Sequence, residues 1–406
     1  MKLALVSLFL SITCTLADKV IVGYFPNWLY ARWPVTNIDF SKYTHINYAF
    51  AIMIKGDTPE WTDDWAVSTQ LPQLTKAAHA KNAKVLISIG GWSGCLTFSP
   101  MAADAGRRKN FIDWNIKQID TYGIDGIDID WEYPGRQGAG CNAFDPANDA
   151  KNLLTLLREL RTALDSKYGS GKKELTIAAH VRPFVTSSGY MSDVSEYAKV
   201  LDRVSLMTYD INGAWNTTTG PNAPFNFENG FGDADSFVSA IDAWTKAGMP
   251  ASKIVPGVAF YGRSATATVD MTKTKSQYQG QVPGQPPKGD SYDAYWQDPY
   301  CSKDPGGLSG IWRYANLRSE GILTSPTTAA SPWVRTWDNV TQTPWLFNPT
   351  NKVFISYDDP VSMAVKVNYA RSKNLGGVMV WSVDEDNGEL LDEVMKIKSD
   401  SSDCNC

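Results

Sequence analysis

Short apolar or alternating runs recur along the chain: VIVGYF at 20–25, HINYAF at 45–50, KVLISIGG at 84–91 and IDGIDIDWE at 124–132. The series continues with ELTIAAHV at 174–181, RVSLMTYD at 203–210, KIVPGVAFYG at 253–262 and GGVMVWSVD at 376–384. Between most of them lie segments whose apolar positions repeat with helical spacing, at 106–121, 148–168, 233–248 and 360–374. Strand alternating with helix implies a parallel sheet. About eight repeats favour a closed (β/α)8 TIM barrel, an α/β fold, over an open doubly wound sheet. The open sheet would need a glycine-rich phosphate turn after an early strand, and GYFPNW carries neither G-x-G-x-x-G nor a P-loop. One gap breaks the rhythm, between Tyr261 and Gly376. There the loop-like QGQVPGQPPKGD is followed by the aromatic stretches SYDAYWQDPY and TPWLFNP. The segment 264–352 is therefore expected to form a small α+β insertion domain between strands seven and eight, standing at the barrel mouth. The barrel itself is expected over 18–263 and 353–396.

The fourth run, DGIDIDWEYPG at 125–135, combines strand alternation with acids at every second position. Residues i, i+2 and i+4 of a strand share a face, so Asp128, Asp130 and Glu132 line one side while Ile127, Ile129 and Trp131 occupy the other. In a (β/α)8 barrel the C-terminal strand ends carry the active site, which puts Glu132 at the mouth and Asp130 and Asp128 successively deeper. Three carboxyls at roughly 6–7 Å intervals cannot all ionise cheaply in a low-dielectric interior. Repulsion and desolvation should raise at least one pKa and keep one group protonated near neutral pH, the condition for a general acid. A solvated strand face would not explain the apolar context. A calcium loop would want glycine and hydrated ligands between its acids rather than Ile and Trp. With only His45, His79 and His180 in the chain, and no H-E-x-x-H or paired C-x-x-C, zinc has little support. No metal or cofactor is expected.

Composition narrows the partners. Lys and Arg number 38 against 43 Asp and Glu, with no basic block suited to nucleic acid or an anionic membrane surface. The chain holds 15 Trp, more indole than a core normally needs, and some of these rings are suited to stacking on sugars. Met1-Lys2, the apolar run LALVSLFLSI and the small-residue end Thr15-Leu16-Ala17 read as a secretory signal over 1–17. The run is too short to span a bilayer, so a membrane anchor is disfavoured and a secreted, extracellular protein is expected. Loss of the signal removes Cys14 and leaves Cys95, Cys141, Cys301, Cys404 and Cys406, an odd number. Cys95 and Cys141 each follow a predicted strand and form the expected disulfide. Asn216-Thr217-Thr218 and Asn339-Val340-Thr341 are N-glycan acceptors, whereas Pro349 excludes Asn348. Residues 397–406 are expected to form a flexible tail, and the chain is expected to be a monomer.

The acidic row resembles the D-x-x-D-x-D-x-E signature of glycoside hydrolase family 18, read on Asp125, Asp128, Asp130 and Glu132. Further motifs agree in order: Ser88-Ile89-Gly90-Gly91-Trp92, Met207-Thr208-Tyr209-Asp210, Tyr261-Gly262-Arg263 and Val380-Trp381. The sequence is similar to secreted chitinases of that family, of the fungal type, and its insertion resembles the family's extra domain. The resemblance implies hydrolysis of chitin and chitooligosaccharides by substrate assistance, an exception to the two-carboxylate scheme of glycosidases. Glu132 would be the acid and base, Asp130 would orient the 2-acetamido group, Asp128 would share a proton with Asp130, and Tyr209 would bind the acetamido oxygen. Trp381 would floor the −1 sugar and Asp210 would touch the sugar beside the acid. Met207, Tyr24, Phe50, Trp92, Tyr261 and Arg263 match cleft positions, while Ser88 and Gly90-Gly91 would let the third strand pack closely beneath. Lectin-like members of the family usually lose the final glutamate, which is present here. An endo-β-N-acetylglucosaminidase acting on N-glycans is the other enzymatic alternative.

Overall fold

The computed structural model describes residues 19–398. The expected signal peptide, Cys14, Cys404 and Cys406 lie outside the described residues. Eight parallel strands close into a barrel: β1 Val20–Pro26, β2 His45–Ala51, β3 Lys84–Gly90, β4 Gly126–Asp130, β5 Glu174–Ala179, β6 Arg203–Leu206, β7 Ile254–Ala259 and β8 Gly377–Trp381. Each strand pairs with its neighbours in sequence, and β8 closes on β1. Helices fall between them as the spacing predicts. The helix Asp149–Tyr168 turns Leu153, Leu156, Leu157, Leu160 and Leu164 inward, the i, i+3, i+4 stripe of an amphipathic helix. Pro360–Ser372 starts on a capping box between Asp359 and Ser362 with a proline in its first turn, which satisfies amides that the helix cannot.

Register decides what surrounds the acidic row. Asp128 of β4 pairs with Ser88 of β3 on one side and Thr176 of β5 on the other, so two hydroxyls flank it on the same inward face. On the outer face Ile127, Ile129 and Trp131 are buried, and Trp131 stacks on Phe98 with ring centroids 5.3 Å apart. The strand's alternation thus separates an apolar packing face from a polar interior face.

The expected insertion is built on a five-stranded antiparallel sheet, in the order Ile311–Arg313, Tyr261–Thr266, Val353–Ser356, Thr343–Asn348 and Val334–Asp338. The sheet runs a few residues past 264–352 at both ends, so Tyr261 and Arg263 belong to one of its strands. Several expected strands end earlier than drawn: β4 stops at Asp130, β5 at Ala179, β6 at Leu206, β7 at Ala259 and β8 at Trp381. Ile397, assigned to the tail, is buried in the turn Lys396–Lys398 because its side chain packs into the core. Asn339 is exposed beside the strand Val334–Asp338, whereas the Asn216 side chain accepts from the Gly213 amide at 3.0 Å.

The expected Cys95–Cys141 bond is not formed. Cys141 is joined to Cys301, 160 residues away, with Cα atoms 5.4 Å apart. Cys95 is a buried thiol whose Sγ lies 3.2 Å from both the Gly91 and Asp130 carbonyl oxygens. Its backbone neighbours hold it inward beneath the end of β4, while the following loop carries Cys141 out to the insertion. Closing so long a loop strongly restricts the unfolded chain. A Cys141→Ser/Cys301→Ser double variant is expected to lose about 5 kcal/mol of stability on the loop-entropy account. The measurement is the denaturant midpoint under non-reducing conditions, and an unchanged midpoint would show that the bond contributes nothing.

Candidate active site

The acidic row descends from the mouth into the barrel as its alternation predicts. Glu132, Asp130 and Asp128 are 8%, 3% and 0% exposed. Asp128 at the bottom is fully engaged. Its Oδ2 accepts from Tyr24 Oη and Ser88 Oγ, each at 2.7 Å, and its Oδ1 from Thr176 Oγ1 at 2.6 Å. Burial pushes its pKa up, and the hydrogen bonds from Thr176, Tyr24 and Ser88 oppose that shift.

Asp130 has the opposite environment. Among the described residues its buried Oδ1 finds no hydrogen-bond partner, a state that native interiors seldom tolerate without a reason. Burial first, then the carboxyls of Glu132 and Asp128, drive its pKa well above the ordinary carboxylate range. Both effects favour the neutral form of the Asp130 carboxyl between two other acids.

Glu132, at the outer end, titrates at about 7. Burial is the main cause; Asp210 adds to the rise, while Tyr133 by hydrogen bonding and Arg136 by charge oppose it. Its backbone is held on both sides. The N–H donates to Cys95 Sγ at 3.3 Å, and the carbonyl accepts from Asn142 Nδ2 at 3.1 Å. The same Asn142 amide donates to the Trp92 carbonyl at 3.0 Å, tying the loop after β3 to the loop after β4.

Met207 to Asp210 continue from β6 into the mouth. The Tyr209 hydroxyl is buried, and its contact is the soft Met379 Sδ at 3.6 Å, a weak acceptor. Asp210 adopts φ of 57° and turns its carboxylate toward the insertion sheet, where Oδ1 accepts from Tyr261 Oη and Arg263 Nε, each at 2.6 Å. The Arg263 guanidinium also lies 4.9 Å from the Trp215 ring centre. The insertion thereby supplies one wall of the site.

Aromatic rings make the opposite floor. Trp381, half-buried at the end of β8, stacks on Phe50 with centroids 5.7 Å apart and lies 5.6 Å from Tyr24. Trp28 stacks on Phe50 at 6.2 Å and leaves 56% of its surface exposed. The peptides Ala49–Phe50, Glu132–Tyr133 and Trp381–Ser382 are cis.

Nearly every residue singled out from sequence converges here. Tyr24, Tyr209 and Tyr261 share one buried cluster, with Phe50, Met207 and Trp381 packed against it. Trp92 stands apart on the rim, with 54% of its surface exposed. Sequence reasoning missed Thr176, Trp28, Trp215 and the thiol of Cys95. Thr176 was accessible from register, since it faces inward on the strand paired with the acidic row. Trp28 and Trp215 lie in βα loops, where spacing carries no signal. Among the described residues no group of three or more His, Cys, Asp or Glu is arranged to hold a metal ion. Nor is any described helix long and apolar enough to cross a membrane.

A carboxyl at the mouth whose pKa is pushed up to about 7, above an unpartnered Asp130 and a fully hydrogen-bonded Asp128 and beside an aromatic floor, suits acid-assisted cleavage of a sugar linkage. Known proteins agree. The family described as Glycosyl hydrolases family 18 matches residues 20–386. A chitinase-like effector of Moniliophthora roreri is 33% identical, over 97% of this chain and 96% of that protein. Chitinase A1 of Niallia circulans is 32% identical over 95% of this chain and 59% of its own length. A crystal structure of a chitinase from Rhizomucor miehei superposes with a TM-score of 0.85 at 31% identity, covering 94% of this chain and all of that one. With the barrel, the acidic row and a match from the first strand to beyond the last, the chain belongs to glycosyl hydrolase family 18.

Proposed function

We propose that the protein is a secreted chitinase that hydrolyses β-1,4 linkages between N-acetylglucosamine units of chitin and chitooligosaccharides with retention of configuration. The observation that carries this reading is the buried, unpartnered Oδ1 of Asp130 beneath Glu132, whose pKa burial pushes up to about 7. An acetamido N–H entering from the mouth would supply the missing hydrogen bond.

In the first step Glu132 gives its proton to the glycosidic oxygen as the C1–O bond breaks. The carbonyl oxygen of the substrate's own 2-acetamido group attacks C1 and forms an oxazolinium ion. Asp130 accepts from the acetamido N–H and, as it loses its proton toward Asp128, stabilises the positive charge that develops. Tyr209, whose hydroxyl contacts the weak acceptor Met379 Sδ, donates to the acetamido oxygen. Trp381 presents an indole face to the C–H groups of the sugar. Glu132, now ionised, takes a proton from water, the water oxygen attacks C1, and the ring of the oxazolinium opens. Two displacements at one carbon give net retention. Asp210, Tyr261 and Arg263 hold the wall against which the sugar lies. The lectin-like alternative is opposed by the intact Glu132, Asp130 and Asp128.

An intramolecular nucleophile gains its rate from being held in attack geometry. Oligomers lacking the N-acetyl group on the −1 sugar are therefore expected to be cleaved at least about 100-fold more slowly than fully acetylated ones. Efficient cleavage of the deacetylated linkage would overturn the mechanism.

A further inference from the structure

Asn142 takes no part in the mechanism above, yet its side chain touches the backbone of the acid. Its amide nitrogen carries two N–H groups and uses both, one on the Glu132 carbonyl at 3.1 Å and one on the Trp92 carbonyl at 3.0 Å. The reversed amide would set oxygen against oxygen on both sides, so these two acceptors fix which way round it lies. Asn142 is 4% exposed, and among the described residues its buried Oδ1 has no hydrogen-bond partner. Native interiors seldom leave an amide oxygen unsatisfied, so the side chain is held there for its donors. The loop folds back closely to bring it in. A Cβ on Gly138 would come within 2.0 Å of the Glu132 carbonyl oxygen and 3.3 Å of Asn142 Nδ2, an approach that glycine permits. Gln137 Nε2 donates to the Asn142 carbonyl at 3.1 Å, and the Asn142 and Ala143 N–H groups donate to the Ala139 and Leu96 carbonyls at 2.9 and 3.2 Å. Cys141, the preceding residue, is bonded to Cys301.

We infer that Asn142 is a positioning residue for proton donation: by holding the Glu132 carbonyl it fixes where the carboxyl of that residue stands, with Cys95 as the matching hold on the Glu132 N–H. This rests on the reading of Glu132 as the acid. The need for such a hold comes from the strand. The last pair between β3 and β4 is Gly90 with Asp130, so Glu132 stands beyond the ladder that fixes the two aspartates. Side chains do there what the sheet does below. Cys95 Sγ accepts the Glu132 N–H at 3.3 Å from the loop after β3, and Asn142 donates to the carbonyl from the returning end of the loop after β4. A proton donor must lie within hydrogen-bond reach of the oxygen it protonates, and a misplacement of ~1 Å is enough to cost on the order of 10²-fold in rate.

The test compares kcat/KM on a chitin oligomer with kcat/KM on the dinitrophenyl glycoside of a chitin oligomer, whose leaving group departs as a stable phenolate and needs no proton. A donor that is out of place harms the first substrate and spares the second, whereas a general disturbance of the site harms both. Asn142→Ala is expected to lower kcat/KM by about 10- to 100-fold on the oligomer and by less than about threefold on the dinitrophenyl glycoside. Cys95→Ala should show the same pattern, and Cys95→Ser, which keeps a donor and an acceptor at that position, should recover most of the oligomer activity. If Asn142→Ala does not fold, the contrast between the two Cys95 variants carries the test. Equal losses on the two substrates, or no loss on the oligomer, would overturn the inference. Glu132→Gln, run in parallel, separates it from the reading on which it rests. If the loss in Glu132→Gln is also the same on both substrates, the acid assignment itself fails; if that loss is confined to the oligomer while the loss in Asn142→Ala is not, only the role of Asn142 fails.

Discussion

Glu132→Gln is expected to lower kcat on chitin oligomers by ~10²–10⁴-fold, the usual contribution of a positioned proton donor, while oligomer binding stays within a few-fold. The substitution is close to isosteric. Below its pKa of about 7 the native side chain is already neutral, so an amide reproduces its charge and its shape but has no proton to transfer. The supports from Cys95 and Asn142 reach only the backbone of residue 132, and the exchange leaves them in place. Single-turnover rates together with calorimetric affinity would separate chemistry from binding. A kcat within tenfold of the wild type would mean that the proton comes from another group.

Asp130→Asn is the second large effect, expected to reduce kcat by ~10²–10³-fold with a smaller change in KM, as for loss of one group aimed at developing charge. Its reason differs from that for Glu132. Asparagine fills the same buried space and still accepts a hydrogen bond, but it cannot become negative when the oxazolinium forms. The transition state should suffer more than the bound substrate. If the loss fell wholly on KM, Asp130 would be a binding residue and no more. Asp128 is predicted to be hard to replace for another reason: an unchanged asparagine geometry would point an N–H at hydroxyls that now donate to a carboxylate.

What was legible in advance follows from which interactions are local. The acidic row could be read in order and depth because strand alternation fixes facing without reference to any other part of the chain. The eight strands were readable for the same reason. Strand ends were not. Met207 to Asp210 have the composition of β6, yet they leave the sheet to follow the insertion wall, where Asp210 meets Tyr261 and Arg263. The disulfide was misassigned because nearness to a strand end does not say which loops meet in space; Cys301 reaches Cys141 only through the insertion. Trp28 and Trp215 escaped notice because loop residues obey no period.

The Cys141–Cys301 link has one more consequence. Strand β4 and the β7–β8 connection lie across the barrel from one another, so the bond laces opposite banks of the mouth together. Flexible loops that close over a ligand surrender freedom at the moment of capture, and affinity falls by that amount. Here part of the freedom has been removed during oxidation, before any sugar arrives. The groove around Glu132 is accordingly preorganised by a covalent bond.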